Sequence, residues 1–130
     1  MVNTTLTSLN LHYNSIGDVG ASKIFEAVES NKRTKLASLA LSSNEITGVG
    51  AASIAARLEA DAVPKLTSMD LSYNQLGMQG GMAFVEALRV NTALCMDLTL
   101  RSCGFDISVL QALRDIERQR RGLEIVAGLV

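Results

Sequence analysis

Apolar residues fall along this chain in two alternating rhythms. Leu9 and Leu11, Leu39 and Leu41, Met69 and Leu71, and Leu98 and Leu100 are each separated by one residue, which places both members on one face of a short strand. Downstream the spacing becomes helical: Ile24 and Val28, Ile54 and Leu58, and Phe84 and Leu88 are i, i+4 pairs sharing a helix face. The pattern predicts helices over Val19–Ser30, Val49–Ala60, Gln79–Val90 and Ile107–Gln119, with Asp106 as N-cap of the last. Pro64 falls in a helix-to-strand return, where its missing N–H does no harm. After Gly122, the run Leu123-Glu124-Ile125-Val126 predicts a fifth strand.

The rhythm is a repeat. Leu6, Leu9, Leu11, Asn14 and Ile16 return as Leu36, Leu39, Leu41, Asn44 and Ile46, and again as Leu66, Met69, Leu71, Asn74 and Leu76. A fourth copy follows as Cys95, Leu98, Leu100, Cys103 and Phe105. Glycines keep step, with Gly20, Gly50 and Gly80 in one column and Gly17 and Gly77 in another. The asparagine ends each strand, where its amide can pair with turn backbone groups that would otherwise be buried without partners. Cys103 fills that column in the fourth copy as a small, weak donor. A unit of one strand and one antiparallel helix is too thin to bury its own apolar face, so neighbours must stack.

Residues 1–130 therefore read as one α/β domain: repeats at about 6–35, 36–65, 66–94 and 95–122, and a terminal strand at 123–130. The segment Leu36-Ala-Ser-Leu39-Ala-Leu41-Ser-Ser-Asn44-Glu-Ile46-Thr-Gly48-Val-Gly50 resembles the ribonuclease-inhibitor class of leucine-rich repeats. That resemblance implies a right-handed solenoid, a horseshoe arc with a parallel concave sheet and convex helices. It also implies protein binding in general, and regulation of a small GTPase in the manner of the Ran GTPase-activating protein as an alternative. The period departs from the class by being slightly longer, an addition that the sequence places in helix-to-strand loops such as Asn31-Lys-Arg-Thr-Lys35. Four repeats make a short arc, and no polar capping unit precedes Leu6. The expectation is a piece of a longer solenoid, or ends that pair with another copy.

Composition narrows the function. The chain is 48% hydrophobic but only 4% aromatic, without tryptophan, so aliphatic side chains must fill the layers. A net charge of -1 supplies no field to recruit nucleic acid or an anionic membrane. No apolar run approaches the roughly 20 residues of a bilayer span. The first five residues do not read as a signal peptide. Cys95 and Cys103 fall on one strand segment, too badly placed for a disulfide, which points to a reducing, cytoplasmic location.

Apparent chemistry dissolves on inspection. Gly48-Val-Gly50-Ala-Ala-Ser53 lacks the third glycine of a dinucleotide fingerprint, and its glycines recur at structural positions. His12, the single histidine, has no second ligand at metal spacing; Ser42 can approach it, but no acid is placed to orient the ring. Asp70 and Asp97, offset by two residues on adjacent strands, would stand about 8 Å apart, but on an open sheet without a pocket. The arginines of Arg114-Asp-Ile-Glu-Arg-Gln-Arg-Arg121 read as a solvated helix end. No enzyme activity, cofactor or metal is expected.

What remains is a binding surface. Residues between and beyond the buried leucines form columns facing outward: Ser8, Ser38, Ser68, Asp97; Asn10, Ala40, Asp70, Thr99; His12, Ser42, Ser72, Arg101; and Tyr13, Ser43, Tyr73, Ser102. Tyrosine and arginine are enriched where binding energy concentrates. The expected contact set for a protein partner is Asn10, His12, Tyr13, Asp70, Ser72, Tyr73, Asp97 and Arg101, centred on Tyr73, Asp70 and Arg101. A third expectation is self-assembly, a homo-oligomer formed through the unpaired edges at Leu6–Leu11 and Leu123–Val130.

Overall fold

The computed structural model describes residues 3–128. Four strand–helix units follow one another: β1 (Ser8–Asn10) and α1 (Gly17–Ser30), β2 (Ser38–Ala40) and α2 (Gly48–Glu59), β3 (Ser68–Asp70) and α3 (Gly77–Val90), β4 (Met96–Arg101) and α4 (Ile107–Arg118). A fifth strand, β5 (Leu123–Gly128), ends the described chain. The strands form one parallel sheet in sequence order, β1-β2-β3-β4-β5. The result is an open solenoid of four strand–helix repeats, with neither a closed barrel nor a second layer of sheet.

Register follows the repeat. Leu9 pairs with Leu39, Leu39 with Met69, and Met69 with Leu98. Leu41, Leu71 and Leu100 form a second buried row, and Ile54, Leu58, Phe84 and Leu88 close it from the helices. The helices begin one or two residues before the expected positions at α1, α2 and α3. At α1 and α3 the leading glycine has a positive φ (Gly17 71°, Gly77 62°), so the chain can bend sharply into the helix there. Asp106 caps α4 as expected, its Oδ1 accepting the Val109 N–H at 3.0 Å and the Ser108 hydroxyl at 2.6 Å. Those bonds, the Ser108 one foremost, hold its carboxyl below the usual aspartate range.

The structure adds detail to two columns and corrects the reading of the arginine run. In α1 the fully buried residues are Ala21 and Phe25, whereas Ile24 and Val28 are only half-buried. They pack against the core as their shared helix face implies, and also line the open side of the first repeat. Cys95 shares the column of Leu36 and Leu66 but is exposed, because β4 alternates from Met96 onward and Leu94 and Met96 take the interior instead. The arginine run is only partly solvated. Arg120 is half-buried and donates to Leu88 O at 2.6 Å and to Asn91 O and Leu94 O at 3.0 Å. It thereby ties the last turn of α3 and the loop after it to the end of α4. The expected tail through Leu129 and Val130 lies outside the described residues.

Candidate functional surface

The exposed columns exist in the predicted register, but many of their side chains are already employed. Asn10, Ala40, Asp70 and Thr99 lie side by side across four strands. Asn10 Oδ1 accepts the His12 N–H at 3.1 Å, and Asp70 Oδ1 accepts the Ser72 N–H at 2.9 Å. Both side chains close the backbone just past their own strand, in the manner of an Asx turn. Asp70 and Asp97 keep the expected two-residue offset, Asp70 pairing with Thr99 and Asp97 with Ser68.

The next column is corrected more sharply. Ser72 was expected to face outward, yet it is 3% exposed, and Ser42 is 7% exposed. The Ser72 hydroxyl accepts the Arg101 N–H at 2.9 Å. His12 does the same for the first two strands, its Nδ1 accepting the Ser42 N–H at 3.1 Å and also meeting the Ser42 hydroxyl. In both places a side chain beyond the second leucine accepts an N–H from the next strand, where the regular ladder has run out. The predicted approach of Ser42 to His12 is real, and it is a strand-end fastening rather than a nucleophile and its base. Sequence reasoning had no means to see this, because column membership fixes a side and not a depth.

The residues left free to meet a partner are Tyr13, Tyr73, Asp97 and Arg101. Tyr13 is 78% exposed and Tyr73 is 56% exposed. Both have φ of 59°, and Ser43 and Ser102 in the same column have 55° and 51°. The turn demands a left-handed residue in every repeat, which costs a bulky side chain about 1–2 kcal/mol. Asp97 and Arg101 are exposed on β4, and neither belongs to the ion pairs found among the described residues, Arg57–Glu29 and Arg118–Asp115. Tyr73 N–H bonds to Arg101 O at 2.8 Å, so the tyrosine turn and the arginine are directly fastened together.

Gly48 of the second helix and Gly80 of the third prove to be spacers. A Cβ on Gly48 would lie 2.9 Å from Leu76 O and from Gln79 Cβ, and one on Gly80 would lie 2.9 Å from the Ala51 Cβ. Among the described residues, no group of three His, Cys, Asp or Glu side chains could hold a metal ion. No helix among them is long and apolar enough to cross a membrane.

Comparison with known proteins agrees with this architecture. Thirty-four chains of solved structures match. One, titled leiomodin-1 actin-binding site 2, superposes with a TM-score of 0.76 at 20% identity. The match covers 98% of this chain and 73% of that one, and at such identity it is a likeness of fold. No curated protein matches. The family profile described as leucine-rich repeat matches residues 2–25, 32–55 and 64–85. Those three stretches follow the first three units of the sheet, and the chain belongs to the leucine-rich repeat family.

Proposed function

We propose that this chain is a non-catalytic binding module, of the ribonuclease-inhibitor type of repeat, that holds a partner protein on the strand side of the solenoid. The observation that carries the reading is the fastening of Tyr73 to Arg101, backbone to backbone, on an exposed surface that continues to Asp97 four residues back along β4. The three residues are an exposed ring and two exposed, unpaired charges on adjacent strands, mounted on a backbone fastened by Asp70 and Ser72. Tyr13, held by the turn that Asn10 and His12 close, extends the surface toward the first strand. Tyrosine and arginine are the side-chain types enriched at contact centres. Free thiols at Cys95 and Cys103 accord with a cytoplasmic setting.

A triple variant, Tyr73→Ala/Asp97→Ala/Arg101→Ala, tests the reading, since none of the three side chains fastens the fold. Captured from native extract, a partner held by the wild type and lost by the variant supports the site; equal retention removes it. Actin is the first defined partner to try, because the fold likeness to an actin-binding segment spans nearly the whole chain. Co-sedimentation with filaments and retention by monomeric actin would separate that reading from a general scaffold. Stimulated GTP hydrolysis by a captured GTPase would instead favour the regulator alternative.

A further inference from the structure

One rim of the solenoid is apolar where nothing in the fold requires it. Val19, Val49, Met78 and Ile107 stand in the first turns of α1, α2, α3 and α4, one from each repeat, and are 52–72% exposed. Met82 adds an exposed side chain one turn further along α3. The helix starts that carry them are tied together in chain order. Thr47 donates its N–H and its hydroxyl to Asp18 at 2.7 and 2.6 Å, joining the start of α1 to that of α2. Gly48 lies against Leu76 O at the start of α3, and a Cβ on Gly81 would stand 2.7 Å from the Val109 side chain of α4. The exposed side chains therefore form a row along the rim. Apolar residues scattered singly over a surface need no explanation, but one per repeat at the same level is a patch. Helix propensity does not account for it, since valine and isoleucine serve an exposed helical position less well than glutamate, lysine or alanine.

The charges beside the row have one dominant sign. Of the 12 Lys and Arg residues, Arg101 alone falls within residues 11–19, 41–49, 71–79 and 101–109, the stretches that build this rim. The same stretches carry Asp18, Glu45 and Asp106. Lys32, Arg33, Lys35, Lys65, Arg120 and Arg121 lie instead on the return segments at the other ends of the helices. The helix N-termini do not stand in for the missing cations, because their leading N–H groups are taken. Gly17 bonds to Asn44 O at 2.8 Å and Gly77 to Cys103 O at 3.0 Å, while Thr47 and Asp106 cap α2 and α4.

We infer that the row is a docking surface for a basic amphipathic helix of a partner protein, laid across the four helix starts. Neighbouring packed helices stand about 8–10 Å apart, so the row is about 24–30 Å long. A helix rises about 10.5 Å per heptad, so one apolar stripe repeating each heptad meets one helix start after another. Lysine or arginine flanking the stripe then faces Glu45 and Asp106. The same carboxylates disfavour an anionic membrane or a nucleic acid. They also disfavour a second copy, whose own carboxylates would meet them across a two-fold axis. No residue of the row belongs to the Tyr73, Asp97 and Arg101 surface, and the inference stands without that reading.

The test uses the full chain, isotope-labelled, and a synthetic peptide of three heptads with leucine at a and d and lysine at e and g, where like charges oppose self-pairing. Saturable NMR methyl shifts are expected at Val19, Val49, Met78, Met82 and Ile107. Val49→Gln/Met78→Gln, which alters two exposed side chains, should weaken binding about tenfold at an unchanged urea midpoint. Val19→Gln/Ile107→Gln, at the two ends of the row, should weaken it likewise. A peptide of the same composition with its leucines scattered around the helix should also bind about tenfold more weakly. Glutamate in place of the peptide's lysines should weaken binding at low salt, and Glu45→Lys should narrow that preference. The inference is overturned by no saturable shift at about 1 mM peptide, by shifts centred elsewhere, or by equal binding to both glutamine variants. Equal binding of the scattered peptide overturns it too. So do vesicles of phosphatidylserine that shift the row more strongly than the peptide does, and shifts in the row when the chain alone is concentrated, because the occupant is then a membrane or a second copy.

Discussion

Asn44 and Asn14 hold the same position in their repeats and have different neighbours in space, and their contrast shows what a single side chain does in this fold. Asn44 is buried and serves four backbone groups of two adjacent turns. Asn44→Ala strands those groups away from water and should cost about 3–5 kcal/mol, a large part of a typical domain's stability. Asn14→Ala removes one exposed bond and should cost less than about 1 kcal/mol. Urea midpoints at unchanged slope measure both; equal losses would show that the ladder is not directional. The column itself was legible in the sequence. Its direction, each amide serving the turn before it, was not, because repeat spacing is blind to which neighbour a side chain leans toward. Cys103 replaces the amide at the end of this column, its thiol donating to Leu71 O at 3.4 Å. Burial, helped by the nearby Asp70 charge and opposed by backbone hydrogen bonds, pushes that thiol from 9.0 up to about 12. The unfolded chain's thiol ionises above pH 9 while the folded one stays protonated. Its contribution is therefore intact below pH 9 and is lost progressively up to about 12, by at most about 1.4 kcal/mol per pH unit. Comparing wild type with Cys103→Ser at pH 8 and pH 10 isolates it; the wild type should lose more between the two. Parallel pH curves would refute the assignment.

Between elements, close approach and closed helix ends do the fastening. Gly48 and Gly80 let α2 and α3 come together where Ala51 and Leu76 already fill the space. Gly80→Ala brings a Cβ within 3.0 Å of both the Leu76 and the Ala51 Cβ, so the backbones must part; it should destabilise by about 1–3 kcal/mol despite alanine's better helix propensity, and a gain in stability would deny the close contact. The glycine column was visible in the sequence, and its purpose was not, since a repeated glycine can mean a turn, a ligand or a near neighbour. Arg120 was missed altogether as a structural group. A charge run shows no sign of the three carbonyls, Leu88 in α3 and Asn91 and Leu94 just beyond it, that one of its members satisfies. Arg120→Ala should cost about 2–3 kcal/mol, whereas Arg121→Ala, at an exposed position, should fall within about 0.5 kcal/mol. Thermal unfolding of the two variants side by side decides the matter, and equal effects would return Arg120 to the solvated class.

For the molecule as a whole, the fold was legible because a solenoid writes its contacts into the sequence: what packs together is one period apart. Site depth was not legible, because Ser72 and Tyr73 are adjacent in the chain and only three dimensions separate a 3% exposed side chain from a 56% exposed one. The same one-dimensional order makes stability unequal along the chain. A unit in a solenoid draws its stability from the neighbours on its two sides. The second and third repeats have both. The fourth has β5, paired along six residues with β4, and Arg120 tying it back to α3. The first repeat has a neighbour on one side only, and its apolar columns are half-open. Amide exchange should therefore be fastest in β1 and α1, slowest in β2, β3, α2 and α3, and intermediate in α4 and β5. The inequality should be steep in α1 itself. Amides around Phe25, which sits wholly inside, should outlast those around Val28, which faces the open end. Uniform protection across all four helices would mean that the units unfold as one and that the open end carries no energetic penalty. A graded profile would place the weak point of the described chain in its first repeat.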